Sequence, residues 1–327
     1  MDNEMRLIIF WIVHLTTLGL FIVGLILIVA MWLKARVPGL PASASRWRKL
    51  WAGVGFVIGF IFSRRIWLFL KALFTEGVAI RRLLHTDLRR WLIHLSVFGS
   101  WLVLGIVSTI TGVVVEFLPL FGMAPDKVAA LPIIGQTFHA DVWWVALLND
   151  VLGLVVLVGM ALILWRHYVK KDAQLRTSGA DTVILVLLTL IAVSGFFTEA
   201  FRLLADYTTP AGAFDPAVGM LPAEKFPDVL QPVWGPQWGF IGYGLALAFG
   251  AIGASPEVWE VVHSVFFWLH FVIVLGVLYY LPFSRFFHVI MGPVIVAYNT
   301  AVEQAGHGGG AKKQKAPQPA AAKGGQA

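Results

Sequence analysis

The sequence predicts an all-α integral membrane protein, a five-span helical bundle with extra interfacial helices. Three observations predict it. Hydrophobic residues make up 58% of the chain and charged ones only 13%, a balance that belongs to membrane proteins. Four apolar stretches reach the length of a bilayer core and a fifth comes close. The loops between them alternate in charge, as in a chain threaded back and forth across a membrane.

The spans follow in order. Residues 7–33 form the first; the stretch is too long for a signal-peptide core and lacks a basic lead and a small-residue cleavage site, so it reads as a retained span. Residues 91–115, 143–165 and 259–281 are the other long ones, and 182–197 is a shorter span that can extend toward Phe201. Residues 51–62 are too short to cross and end on Arg64 and Arg65, which predicts an interfacial or re-entrant helix. Residues 237–253 are glycine-rich and lie in an acidic loop, and they read as a helix or hairpin capping the outer face. Residues 1–300 are thus expected to form the membrane domain. Residues 301–327, dominated after Gly306 by Gly, Ala, Lys, Pro and Gln, are expected to be a disordered cytoplasmic tail.

Loop charge gives the expected direction. Residues 34–90 hold twelve Lys and Arg against Glu76 and Asp87, and the 166–176 loop holds four against Asp172. The 116–141 loop has only Lys127 as a base, and 198–262 has Arg202 and Lys225 among seven acids. The positive-inside rule then places the N-terminus outside and the C-terminus in the cytoplasm of a bacterial or archaeal cell. The net charge of +7 is therefore topological and argues for no nucleic-acid partner. With no cysteine, thiolate-held iron–sulfur clusters, disulfides and covalently attached haem are excluded.

Nine histidines remain to be explained. The steps from His263 to His270, 7 residues, and from His270 to His288, 18 residues, return to one stripe of a continuous helix. The second step climbs about 27 Å, close to a bilayer's apolar thickness. Ionisable side chains at such depth call for a bound partner. Imidazole ligates iron well, and helix bundles hold haem between facing histidines. His94 opens the second span and His288 follows Pro282 beyond the fifth, so the two are expected at one level as the ligands of a haem b. Arg89, Arg90 and Arg285 stand close enough in sequence to offer cations to its propionates. Two interfacial histidines bonded to lipid head groups are the plainer alternative. His270, deeper and toward the outer half, needs a partner from another helix. His14 is the first choice for a second haem and His139 the next, although a satisfied core histidine at His14 remains open. His85, His167 and His307 are expected to be solvated.

Three charged residues fall in or beside spans at the outer end, apart from Glu116: Asp150, Glu199 and Arg202. At i and i+3, Glu199 and Arg202 can form an ion pair. That pair is either a structural bridge or part of a proton exit for a quinol, whose oxidation releases two protons.

The stretch from Leu269-His270 through Leu281-Pro282-Phe283-Ser284-Arg285 to His288 and Pro293 resembles the last span of the respiratory nitrate reductase gamma subunit, a membrane cytochrome b. Ile93-His94 resembles the first histidine of that family's second span, and Arg176 to Asp181 its entry to the fourth. The motifs extend from about residue 80 to 295. A closer likeness is to the gamma-like membrane subunits of heterodisulfide reductase and of sulfate-reducer transmembrane complexes, in the approach from Arg81-Arg82 to His94, the Gly195 to Arg202 turn and the His263-to-His270 spacing. The resemblance implies haem b and electron exchange with menaquinone. It also implies a cytoplasmic iron–sulfur partner of the heterodisulfide reductase or nitrate reductase beta type, with a periplasmic multihaem cytochrome c as a further partner. The family carries a second histidine ten residues after the first on its second span; here that position is Leu104. A non-haem membrane anchor or transporter subunit is the alternative from a different class; a transporter would need a broken helix pair or an internal repeat.

Overall fold

The computed structural model describes residues 3–37, 39–114, 118, 123, 140–171, 179–215, 235–284 and 287–307. Five helical segments among them are long and apolar enough to cross a membrane: Ile8–Trp32, Leu88–Gly112, Trp143–Val169, Asp181–Tyr207 and Pro256–Phe283. The five-span, all-α bundle read from the sequence is what the chain forms, and the protein is a multi-pass membrane protein. Large apolar side chains such as Ile26, Ile106, Val158 and Val265 stand exposed along these helices. In water they would be a liability; in lipid they are the ordinary outer surface of a span.

The chain divides into two compact units, residues 1–35 with 81–288, and 36–80 with 289–327. The larger begins with α1 (Asn3–Trp32). After α4 (Arg81–Thr86), Asp87 caps α5 (Leu88–His94) by accepting from the Arg90 N–H at 3.0 Å. A π-helical turn, Leu95–Gly99, carries α5 into α6 (Ser100–Gly112), so the second span is one helix with a wide turn directly after His94. Next come α7 (Trp143–Leu164), α8 (Gly179–Tyr207), α9 (Phe240–Gly250) and α10 (Pro256–Tyr280).

The core sits where α6, α7, α8 and α10 meet: Val156, Met160, Ile184, Leu188, Ile191 and Val277 are buried together, with Trp101 and Leu104 against them. A second cluster, Phe201, Leu203, Leu204, Tyr207, Ala246 and Trp259, locks the Tyr207 end of α8 to α9 and α10. Helices in lipid gain little from hiding apolar surface from one another, so close packing through small residues matters more. A Cβ on Gly159 would stand 2.7 Å from the Val97 side chain, so α7 seats on the π turn only because this residue is bare. Gly159→Val is expected to cost about 1–3 kcal/mol; unchanged thermal unfolding in detergent would show that the turn gives way instead. On α1, Gly24 plays the same part against Pro282 and Phe283.

Three expectations are corrected. The fourth span is not short: α8 runs 29 residues, from Gly179 to Tyr207. Its polar end, with Thr198, Glu199 and Arg202, stays helical because Thr198 returns its hydroxyl proton to the Ser194 carbonyl and Arg202 finds buried partners. The helix bearing His263 and His270 does not continue to His288. It ends at Tyr280, a 3₁₀ turn spans Leu281–Phe283, and a new helix, α11 (His288–His307), begins. Pro282 lacks the amide hydrogen and its ring crowds the preceding turn, so the stripe and the 27 Å climb computed for one helix do not apply. Lastly, α11 carries residues 301–307, which composition assigned to the tail, and 308–327 lie outside the described residues.

The smaller unit holds the apolar piece that reads as interfacial or re-entrant. It is α2 (Arg46–Ile61), capped by Ser45, and then α3 (Arg65–Ala72), continued by a π turn at Leu73–Val78. The two arms meet at 87°, a broken span or a re-entrant loop. Phe56 and Phe60 pack on Tyr298 of α11, with ring centroids 6.0 and 5.7 Å away. The apolar stretch in the acidic loop is α9, a short helix packed on α8 and α7, as its composition suggests.

Candidate functional site

His270 organises the larger unit's main cavity. Its Nδ1 lies 2.8 Å from the Ser194 hydroxyl, and that hydroxyl is 3.2 Å from the Ile191 carbonyl. With Ser194 donating to the carbonyl, Nδ1–H donates to Ser194 and Nε2 keeps its lone pair. Gly195 lets the ring lie against α8: a Cβ there would be 3.6 Å from its Cε1. Ionic and dipolar groups gather one to two turns along α8. The cavity, about 520 Å³, runs from His270 past Trp101, Leu104 and Phe196 to Asn149, Asp150, Glu199 and Arg202.

Asp150 is 1% exposed. Its Oδ2 accepts from the Ile241 N–H at the start of α9, so a helix N-terminus points its partial positive charge at the carboxylate. Glu199 is its neighbour, folded against the same helix start; a Cβ on Gly242 would lie 2.8 Å from the Glu199 Cδ. Gly239 and Gly242 are therefore bare so that a carboxyl group can fit against backbone. Gly242→Ala is expected to displace Glu199 and loosen α9, seen as faster amide exchange in 240–250; unchanged exchange would show the carboxyl has room elsewhere.

Arg202 does not pair with Glu199. It forks onto Asp141, with Nη1 donating to Oδ2 at 2.7 Å and Nη2 to Oδ1, and Nη1 also reaches Asp206 at 3.4 Å. The expected i, i+3 pair loses because a planar guanidinium matches one carboxylate edge-on, and Asp141, 2% exposed, lies in its plane. Asp141 went unnoticed in the sequence. Its one signal was an acid two residues ahead of a span, which reads equally well as loop.

The histidines separate by surroundings. His14 lies between rings, with centroids 5.9 Å from Phe10 and 6.4 Å from Phe271. It meets α10 through Phe271, one residue on from His270 and about 100° around the helix. The structure therefore does not bring His14 and His270 together; the expected pairing is replaced by an aromatic stack for one and a polar cavity for the other. His94 is half-buried at the entry to the π turn, 5.4 Å from the Phe98 ring. Such turns recur at functional positions because they shift a helix face without breaking the helix. His288 starts α11, but its side chain lies outside the described residues, as do Arg285, Glu116 and His139. Arg90 is held by Asp87 at 3.0 Å, and Arg89 lines a groove beside Ile93 and Ser96. His263 stands 6.2 Å from the Phe267 ring. His85 is exposed, as expected, whereas His167 is half-buried on the π turn Trp165–Val169. Among the described residues no cluster of three or more His, Cys, Asp or Glu could hold a bare metal ion.

No family model matches the chain, and no solved structure does. Curated proteins do. The dihydromethanophenazine:CoB–CoM heterodisulfide reductase subunit of Methanosarcina thermophila is 23% identical over 160 residues, 46% of this chain and 57% of the relative. Its counterpart from Methanosarcina barkeri is 26% identical over 133 residues, 41% of this chain and 47% of the relative. The EtfAB:quinone oxidoreductase of Syntrophomonas wolfei is 24% identical over 232 residues, 69% of this chain but 27% of the relative. The chain thus spans about half the length of the heterodisulfide reductase subunits it matches. Fold and likeness together define a class, the multi-pass helical membrane subunits that serve electron transfer. Within that class the chain groups with the membrane subunit of heterodisulfide reductase.

Proposed function

We propose that this chain is the haem b-carrying membrane subunit of a respiratory complex, passing electrons between the menaquinone pool and a cytoplasmic iron–sulfur partner. One observation carries the reading: two kinds of relative, otherwise differently named, each name a planar carrier of two electrons and two protons, a dihydrophenazine in one and a quinone in the other. An internal cavity that joins an imidazole to buried carboxyl groups suits such chemistry. Haem iron would take the electrons one at a time. His94 and His288 are its proposed ligands, with Arg89, Arg90 and Arg285 toward its propionates. The N-terminus lies outside and the C-terminus in the cytoplasm, where the basic loops meet the partner subunit.

The purified chain should show b-type absorption bands on reduction, and a menaquinol analogue should produce them. A protein without such bands would be a membrane anchor. Glu199→Gln or Asp150→Asn should slow reduction by the analogue in stopped flow while haem content stays constant. Wild-type rates in both would leave the carboxyl groups purely structural.

A further inference from the structure

The residues around His270 fit a six-coordinate, bis-imidazole haem poorly. Among the described residues His270 is the only imidazole lining the cavity, Leu104 stands on the α6 wall, and His14 faces a different side of α10. What the cavity does offer is hydrogen-bond acceptors. His270 presents the Nε2 lone pair. Asp150 Oδ1 and Asn149 Oδ1 are buried with no hydrogen-bond partner among the described residues. A buried acceptor left unsatisfied is costly, so such groups point to a missing donor. The hydroxyl protons of Thr109 and Thr198 are already committed to the Gly105 and Ser194 carbonyls, at 2.6 and 2.8 Å. The Arg202 guanidinium is taken by Asp141 and Asp206. The unpartnered Trp101 Nε1 supplies a donor on the wall.

The acceptors are also spaced. Ser194, which orients His270, and Glu199, beside Asp150, are five residues apart on α8, a rise of about 7.5 Å. Between these levels the walls are flat and apolar, from Leu104, Val156 and Phe196. A molecule that satisfies such a site is flat, apolar and carries a donor at each end.

We propose that this cavity binds the reduced head group of the two-electron carrier, a hydroquinone or dihydrophenazine, with His270 Nε2 accepting from one end and Asp150, helped by Asn149, from the other. This rests on the reading that the chain exchanges electrons with such a carrier. The oxidised forms offer acceptors where the site already has acceptors, so the site selects the reduced form. A hydroquinone oxygen can also accept from Trp101 while donating its own proton, which an oxidised carbonyl cannot do.

The test uses the full chain in lipid nanodiscs, without oxygen, with 2,3-dimethyl-1,4-naphthohydroquinone and the matching quinone as probes. Haem per chain is measured alongside. The expected result is one probe bound per chain, with the hydroquinone held roughly tenfold tighter than the quinone, about one charged hydrogen bond's difference. Asp150→Asn, which replaces an acceptor-only group with one that also donates, should erase that preference without removing haem. His270→Phe should abolish binding with haem content unchanged. Equal affinity for the two probes would overturn the proposal. So would two haems in the native chain with one lost in His270→Phe, which would make the cavity a haem site. Haem reduction by the hydroquinone with no probe in the cavity would overturn this site and keep the proposed function. Failure of the hydroquinone to reduce any haem would instead count against the proposed function itself.

Discussion

Replacing His94 or His288 with alanine is expected to remove one equivalent of haem b per chain while the protein remains in the membrane. An axial imidazole is not a contact that neighbours can replace: a low-spin haem needs both, and loss of one leaves an iron that binds weakly or not at all. The effect should therefore be near total at either position. It should also be local, because His94 sits on a helix already anchored by α7 at Gly159. Haem extraction with pyridine, together with the reduced-minus-oxidised spectrum, gives the count. Full haem content in both variants would remove the assignment. Haem kept in His288→Ala alone would keep His94 and require another partner.

The second large effect is expected at the buried pair Arg202–Asp141. Cutting one member of a buried, bidentate pair leaves the other charge without compensation, a loss of about 3–5 kcal/mol. Asp141→Ala should thus lower the thermal unfolding midpoint far more than substitution of Asp206, which is half-exposed at 51%. Removing both members, as in Asp141→Asn with Arg202→Gln, should recover part of the loss, since no orphan charge remains. If the single and double variants unfold alike, the pair is solvated and contributes little. The prediction is worth making because the pair joins the start of α7 to α8 beside the cavity mouth, so its loss should also weaken the carboxyl site nearby.

The spans were legible because their signal is composition over some twenty residues, and no single tertiary contact can reverse it. The break after Tyr280 was half legible: Pro282 announced a bend, but phase counting carried the helix past it. The partners of charged groups were hidden. Arg202 had an acid three residues away in sequence and another sixty-one residues away in the fold, and the distant one holds it bidentately. Nothing local distinguishes these, because the choice depends on how α7 enters the bundle. The same applies to His14 and His270, whose separation follows from one residue's rotation on α10. Asp150 and Glu199 stood out as charges in apolar helices. That a short helix would aim its N-terminus at Asp150 was not legible, although the glycines at 239 and 242 were visible.

The wide turn at Leu95–Gly99 has a consequence for any attempt to redesign the second span. It works as a stored insertion: one extra residue has been absorbed into the coil, and everything beyond it is offset in angle from everything before. Removing a single residue there would leave a perfectly good helix, yet Trp101 and Leu104 would swing out of the cavity wall and a different pair of side chains would swing in. A substitution scan would miss this sensitivity, because no individual side chain in the turn carries it. Chain length does, and a one-residue deletion is the lesion to which this span is tuned to respond.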